Sequence, residues 1–114
     1  MSPTFQMETE VEGLKALLEF TEMARSAPPM AELEATIASE KGEPRAQAMY
    51  QRSLLLLLQG QEEAALDQLI EMVERHKNYQ DGLARKTILK IFALQGNQGP
   101  LVERYRSRLS RALH

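Results

Sequence analysis

Apolar residues recur along most of this 114-residue chain at spacings of three and four positions, which is the period of an amphipathic α-helix. Proline or glycine interrupts this pattern at Pro28–Pro29 and at Gly60. Thr9 and Glu12 have the spacing of a capping box at the start of the first helix, and Asp81 suits the N-cap of a later one. The pattern predicts six helices, at about 9–25, 30–41, 44–59, 61–76, 81–94 and 100–114.

The most apolar stretch is the run of five leucines at Leu54–Leu58. A membrane-spanning helix needs about 20 apolar residues, so this run is far too short to cross a bilayer. A helix that packs on its hairpin partner and also on the next helix pair buries two faces, and such a helix needs a nearly continuous apolar segment. We therefore expect the leucines to lie inside a stack of helices, before a sharp turn at Gln59–Gln61.

Composition supports helices throughout the chain. Leu, Ala, Glu, Arg and Gln, which favour helices, are abundant, and the β-branched and aromatic residues that favour strands are few. The length suits one domain, and the absence of cysteine leaves no disulfide and no thiolate chemistry. This composition predicts an all-α protein. The first residues lack the basic and apolar pattern of a signal peptide, so we expect the protein to be cytoplasmic.

A repeat of about 34 residues, the length of the tetratricopeptide motif, fits the middle of the chain best. Residues 45–79 place the small residues Ser53 and Ala65, and the large residues Leu56 and Leu69, where two helices of such a repeat cross. This segment is therefore the best-matching repeat.

The segments on either side fit the repeat less well. Residues 8–44 are predicted to be a degenerate first helix pair, because a step of 34 residues back from Ala65 reaches the similarly small Ala31. Residues 80–114 contain the longer loop "LQGNQGP" and are predicted to be a divergent C-terminal capping pair. The sequence thus predicts one tetratricopeptide-like domain over residues 1–114, a stack of five to six helices in antiparallel pairs.

The second half of the chain carries a more specific resemblance. The run "GQEEAALDQLIEMVERHKNYQDGLARKTILKIFALQGNQGPLVERYRSRLSRAL" resembles the C-terminal tetratricopeptide region of bacterial thioredoxin-domain co-chaperones of the YbbN type. The thioredoxin-like domain of that family, with its C-x-x-C or S-x-x-C motif, is missing from this chain, which suggests an excised C-terminal region or a shortened relative. The resemblance implies contacts with chaperone machinery or unfolded client proteins. The residues that carry it are Asp81, Gly82, Ala84, Arg85, Lys86, Leu89, Phe92, Leu94, Gly96, Pro100, Leu101, Val102, Tyr105, Arg106 and Leu109.

Few residues suggest a catalytic or metal-binding role. His76 is predicted near a helix end, where an imidazolium suits the helix dipole, and no second ligand stands at the spacing of a metal site. The paired acids Glu62–Glu63 and the acids Glu32 and Glu34 lie in early helical turns, where the dipole favours them. We therefore predict no catalytic, cofactor-binding or metal-binding residue.

Charge changes sign along the chain, although the net charge is only −2. Residues 1–44 hold nine acids and three bases, whereas residues 81–114 hold two acids and seven bases. In the last helix Arg104, Arg108 and Arg111 are spaced to form a basic stripe, which we expect on the exposed side, opposite the apolar residues. Such a stripe can be simply solvated or can dock an acidic partner or a missing domain, and nucleic acid is a remote alternative.

In a tetratricopeptide stack the first helix of each pair lines a concave groove. By this register the third and fifth helices supply a largely apolar groove in which Tyr50, Leu54 and Ile88 meet water in the free protein. The alternative is that part of this lining belongs to the core. The predicted protein-binding residues are Gln47, Tyr50, Gln51, Leu54, Arg85 and Ile88.

Two functions follow from these features. The first is a non-enzymatic protein-interaction module that binds the chaperone machinery or unfolded clients, as the resemblance implies. The alternative is a structural scaffold that forms a homo-oligomer or docks a thioredoxin-like domain.

Overall fold

The computed structural model describes the backbone of residues 3–113 and the side chains of residue 11 and residues 13–113. Every regular element within residues 3–113 is an α-helix, which confirms the predicted all-α fold class. The helices are α1 (Pro3–Arg25), α2 (Met30–Ser39), α3 (Gly42–Leu58), α4 (Glu62–Arg75), α5 (Leu83–Leu94) and α6 (Pro100–Leu113).

The first helix differs most from its predicted boundaries. It begins at Pro3 rather than near Thr9, so a capping box at Thr9 and Glu12 does not start it. The side chains of both residues lie outside the described part of the chain.

The turn before α5 also differs from its prediction. Asp81 is not the N-cap of this helix, because Gly82 occupies that position with a left-handed φ of 77°. Asp81 itself has a φ of 57°, and its carboxylate lies 3.4 Å from the Lys86 ammonium group. The chain therefore reverses through consecutive left-handed residues, and glycine is the residue that adopts this conformation at the lowest cost.

The hairpin of α3 and α4 forms the centre of the protein. Leu54, Leu56 and Leu57 are buried, as expected for a helix with two packed faces, whereas Leu58 at the end of α3 is exposed. Ala65 is completely buried. A small side chain at this position lets the two helices approach closely. Gly60, with a φ of 81°, provides the tight turn between them.

The other helices are arranged around this hairpin. α2 packs on α3, while α5 and α6 both pack on α4. The expected pair over residues 8–44 does not form in the predicted way, since α1 packs mainly against α5 and α3. Between the two helices Pro29 is extended, with φ −58° and ψ 153°, and Leu33 is the one buried side chain of α2.

A candidate protein-interaction surface

α1 lies over the surface that the repeat register assigns to the binding groove. It contacts both α3 and α5, the two helices predicted to line that groove. Among the residues of α1 whose side chains are described, Gly13, Ala16 and Phe20 are buried, and they share one helix face at spacings of three and four. The groove is therefore occupied by a helix of the same chain.

α1 comes close to α5 at Gly13. A Cβ atom added to Gly13 would lie 3.4 Å from the Leu94 Cδ2 atom and 3.6 Å from the Leu94 Cα atom. Further along, the Glu19 carboxylate accepts a hydrogen bond of 2.9 Å from the Lys90 ammonium group. Because Gly13 meets the end of α5 and Glu19 meets an earlier residue, the two helices run antiparallel.

The residues under α1 form part of the main core. The Tyr50 and Thr87 hydroxyls are 2.9 Å apart and join α3 to α5, and burial raises the pKa of Tyr50. Tyr50, Leu54 and Ile88 are only 5%, 1% and 0% exposed. The expectation that they meet water is wrong, because α1 contributes Phe20 to the same hydrophobic cluster.

The remaining predicted groove residues lie at the edges of the groove. Gln47 and Arg85 are exposed, and Gln51 is half-buried. These three polar side chains flank the buried residues of α3 and α5 and stay accessible while α1 is in place.

Four large apolar side chains of α1 are exposed, and reasoning from the sequence missed this feature. Val11, Leu14, Leu17 and Leu18 are 48%, 62%, 40% and 67% exposed. We call these four residues the α1 strip. Their helical spacing is visible in the sequence, but spacing alone does not show which face of the helix packs on the rest of the protein. A contiguous exposed apolar surface is typical of a site that contacts another molecule.

A shallow cavity of about 370 Å³ lies between α1 and α5. Ala16, Leu89 and Ala93 supply its apolar lining, and Lys15, Glu19 and Lys90 complete it. It adds accessible apolar surface beside α1.

The arginines of α6 have a different environment from the predicted one. Arg104 forms an ion pair of 2.7 Å with Glu63, and Arg108 forms one of 2.6 Å with Asp67, so both attach α6 to α4. Both guanidinium groups also lie over the Tyr105 ring, 5.2 and 4.9 Å from its centroid.

In the predicted basic stripe Arg104 is exposed and Arg108 is partly exposed, but both are paired with acids of α4. The Tyr105 hydroxyl donates a hydrogen bond of 2.7 Å to the Asp67 carboxylate, and burial together with this bond raises the pKa of Tyr105. Arg111 is exposed in the last turn of α6. The acids of α4 thus neutralise part of the charge on which docking of an acidic partner was predicted.

His76 follows α4 and contacts Arg45, which joins three helices. The Arg45 guanidinium donates hydrogen bonds of 3.2 Å to the Ile37 carbonyl oxygen and 3.0 Å to Nε2 of His76, and it lies 3.6 Å from the Glu71 carboxylate. Burial and the positive charge of Arg45 lower the pKa of His76, despite the opposing effect of Glu71. The environment favours a neutral imidazole that accepts a hydrogen bond, rather than the predicted imidazolium.

Within the described ranges, no cluster of three or more acidic or histidine side chains has the arrangement of a metal site. None of the helices described combines the length and the apolar character needed to cross a membrane.

A central hairpin with further helices stacked on both sides, and with apolar surface left exposed, defines a helical-repeat scaffold. The family model described as tetratricopeptide repeat matches residues 23–114, and the chain belongs to this family. The matched region contains α2 to α6 but only the last three residues of α1. Proteins of this family generally use their repeats for protein–protein interactions. No match was found among curated proteins or among solved structures.

Proposed function

We propose that this protein is a cytoplasmic, non-enzymatic interaction module that holds apolar segments of unfolded or partly folded proteins. This is the role implied by its resemblance to the C-terminal region of thioredoxin-domain co-chaperones. The observation that carries the proposal is the α1 strip, in which four large apolar side chains are exposed within about two helical turns.

The position of the strip supports binding rather than internal packing. α1 already buries its opposite face, with Phe20, against α3 and α5, so the strip is an additional apolar surface. Apolar side chains at positions i, i+3 and i+7 of a helix, such as Val11, Leu14 and Leu18, are a common means of contacting another protein.

Polar groups around α1 suit an adaptable contact. Gln47, Gln51 and Arg85 offer hydrogen-bond donors and acceptors at the edge of the α3 and α5 surface. We expect them to contact the backbone of a bound segment, while the strip contacts its apolar side chains.

The experiment compares two double variants of the full chain. Leu14→Ser with Leu18→Ser removes the centre of the strip, and Leu58→Ser with Leu113→Ser makes the same change at exposed leucines elsewhere. Light scattering of a chemically denatured test protein on dilution measures client holding. We expect the first variant to lose the suppression of aggregation and the second to keep it, with both retaining the parent's helical circular dichroism. Equal suppression by both variants would contradict the proposal.

The second candidate is an oligomerisation scaffold, which the same strip favours because an apolar helix face can pair with a second copy. Light scattering after size-exclusion chromatography separates the two functions. A dimer that becomes monomeric in Leu14→Ser with Leu18→Ser, and that never suppresses aggregation, would identify the scaffold. Nucleic-acid binding has less support, because Arg104 and Arg108 are paired with acids.

A further inference from the structure

We propose that Arg45 and His76 form a proton-operated latch on the end of α2. While His76 is neutral, it holds the Arg45 guanidinium against the last turn of this helix. Protonation of His76 in mildly acidic solution releases the guanidinium, so that α2 opens away from α3 while α3 and α4 stay together. This inference goes beyond the proposed function, because it involves none of the residues of the α1 strip.

Arg45 gives the C-terminal end of α2 a partner that the helix itself lacks. The Glu40 N–H donates a hydrogen bond of 2.8 Å to the Thr36 carbonyl oxygen. The next carbonyl, that of Ile37, accepts a hydrogen bond of 3.2 Å from Nε of Arg45. The last carbonyl groups of a helix have no partner within the helix, and α2 has no basic residue in its last turn. A guanidinium from α3 therefore bonds an end carbonyl and also suits the negative end of the helix dipole.

The same guanidinium depends on His76 for a second contact. Nη1 of Arg45 lies 3.0 Å from Nε2 of His76 and 3.2 Å from the Met49 sulfur. An arginine only donates hydrogen bonds and keeps its charge, so the imidazole accepts this bond in its neutral form. A protonated imidazole carries a hydrogen on both ring nitrogens. Protonation therefore places two donors and two positive charges face to face, and the guanidinium moves away.

The other charged groups around His76 do not cancel this repulsion. Glu71 in α4 faces the pair, but its carboxylate is shared between Arg45 at 3.6 Å and Arg75 at 3.4 Å. Burial and then the charge of Arg45 lower the pKa of His76, Glu71 opposes them, and Arg75 adds to them. The remaining titratable groups beside His76 line a shallow cavity with it and bring one further charge of each sign; they are Glu43, Lys77 and Tyr79. The closed latch therefore takes up a proton only below the ordinary histidine pKa of about 6.5.

α2 has fewer supports than the central helices. It is ten residues long, which is below the length of about 12–15 residues at which an isolated helix becomes stable. Leu33 is its one buried side chain, and Met30 and Ile37 are partly buried against the core. It packs chiefly on α3, whereas α3 also packs on α4 and α1. Loss of the Arg45 cap therefore weakens α2 before it weakens the central hairpin, and opening of α2 uncovers the face of α3 beneath it.

Hydrogen exchange of the full chain, followed by NMR at pH 7.5 and pH 5.0, tests the latch. Protection factors, which correct for the intrinsic effect of pH on exchange, are compared for α2, α4 and α6. We expect protection in α2 to be lower than in α4 at both pH values and to fall at least about tenfold at pH 5.0, because the open state binds a proton that the closed state does not. Protection in α6 should not change, since local opening of α6 leaves the latch closed.

Three variants assign the response to named residues. His76→Gln keeps an amide oxygen that can accept from Arg45 but does not titrate, so protection in α2 should be equal at both pH values. Arg45→Met removes the cap, so protection in α2 should be low at both pH values. Arg75→Gln is the matched control and should respond to pH like the parent, because this arginine pairs with Glu71 rather than with α2. The comparison of the parent with His76→Gln does not depend on the folding of Arg45→Met.

Three results would overturn the proposal. The first is equal protection of α2 in the parent at both pH values, and the second is the same fall in His76→Gln as in the parent. The third is an equal fall in α2 and α6, which would indicate a general loss of stability rather than the local opening of one helix. None of these results depends on aggregation suppression by the α1 strip, so the two proposals fail separately.

Discussion

The hydroxyl groups of Tyr50 and Thr87 lie 2.9 Å apart in the buried seam between α3 and α5. Tyr50→Phe would leave the Thr87 hydroxyl without this partner in a buried position. We expect the variant to lose about 1–3 kcal/mol of unfolding free energy, measured by urea denaturation. Tyr79→Phe, at a half-buried tyrosine, is the control and should change stability by less. Equal stability of the parent and Tyr50→Phe would show that this hydrogen bond contributes nothing.

Ala65 tests the close packing of the central hairpin. The residue is completely buried in α4, which packs on α3. Ala65→Leu adds three carbon atoms at a completely buried position, and we expect it to destabilise the protein by about 1–3 kcal/mol in thermal or urea unfolding. Ala64→Leu, at the half-buried neighbouring position, should cost less. An unchanged melting temperature for Ala65→Leu would argue against a close helix crossing at this alanine.

The α6 arginines should differ in their effect on stability. Arg104→Gln with Arg108→Gln removes both ion pairs to α4, each of which is partly exposed. We expect a small loss of unfolding free energy, which becomes smaller at high salt because exposed pairs are screened. Arg111→Gln should leave stability unchanged. If Arg111→Gln and the double variant both leave stability unchanged at low salt, the two ion pairs do not hold α6 in place.

The lowered pKa of His76 predicts that the stability of the protein changes with pH. Its pKa is lowered in the folded protein by burial and by Arg45, whereas the unfolded chain has the ordinary value of about 6.5. Between these two values the unfolded state binds a proton that the folded state does not, so stability falls as the pH drops through about 6.5. Thermal unfolding from pH 7.5 to 5.5 should show a steeper loss for the parent than for His76→Gln. His114 is common to both chains and does not affect the comparison, and parallel pH profiles would contradict the prediction.

The helices were predictable because their determinants are local. The apolar spacing of three and four defines each helix, and the turn at Gly60 is where the sequence predicts it, with a left-handed φ that glycine adopts readily. The N-cap before α5 was not predicted correctly. Asp81 is a favourable capping residue, but the turn places Gly82 at that position instead.

The position of α1 was not predictable from its own pattern. Val11, Leu14 and Leu18 form the more hydrophobic face of this helix, and large apolar side chains normally face the core. The groove instead receives Gly13 and Ala16, because the backbone of α1 passes close to Leu94. This preference depends on the shape of the α3 and α5 surface, which no local spacing in the sequence reveals.

The arginines of α6 show a related limit. Their spacing indicates one helix face, but the acids that pair with them are about forty positions earlier, in α4. Whether such a face is solvated or paired depends on which helix packs beside it.

The central position of α4 implies a hierarchy of protection from hydrogen exchange. α4 packs against α3, α5 and α6, whereas α2 packs chiefly on α3 and α6 chiefly on α4. Amide hydrogens in the middle of α4 can exchange only when most of the protein opens, while those of α2 and α6 can exchange after the local detachment of a single helix. Exchange should therefore proceed from the two outer helices towards the central hairpin, rather than repeat by repeat along the chain.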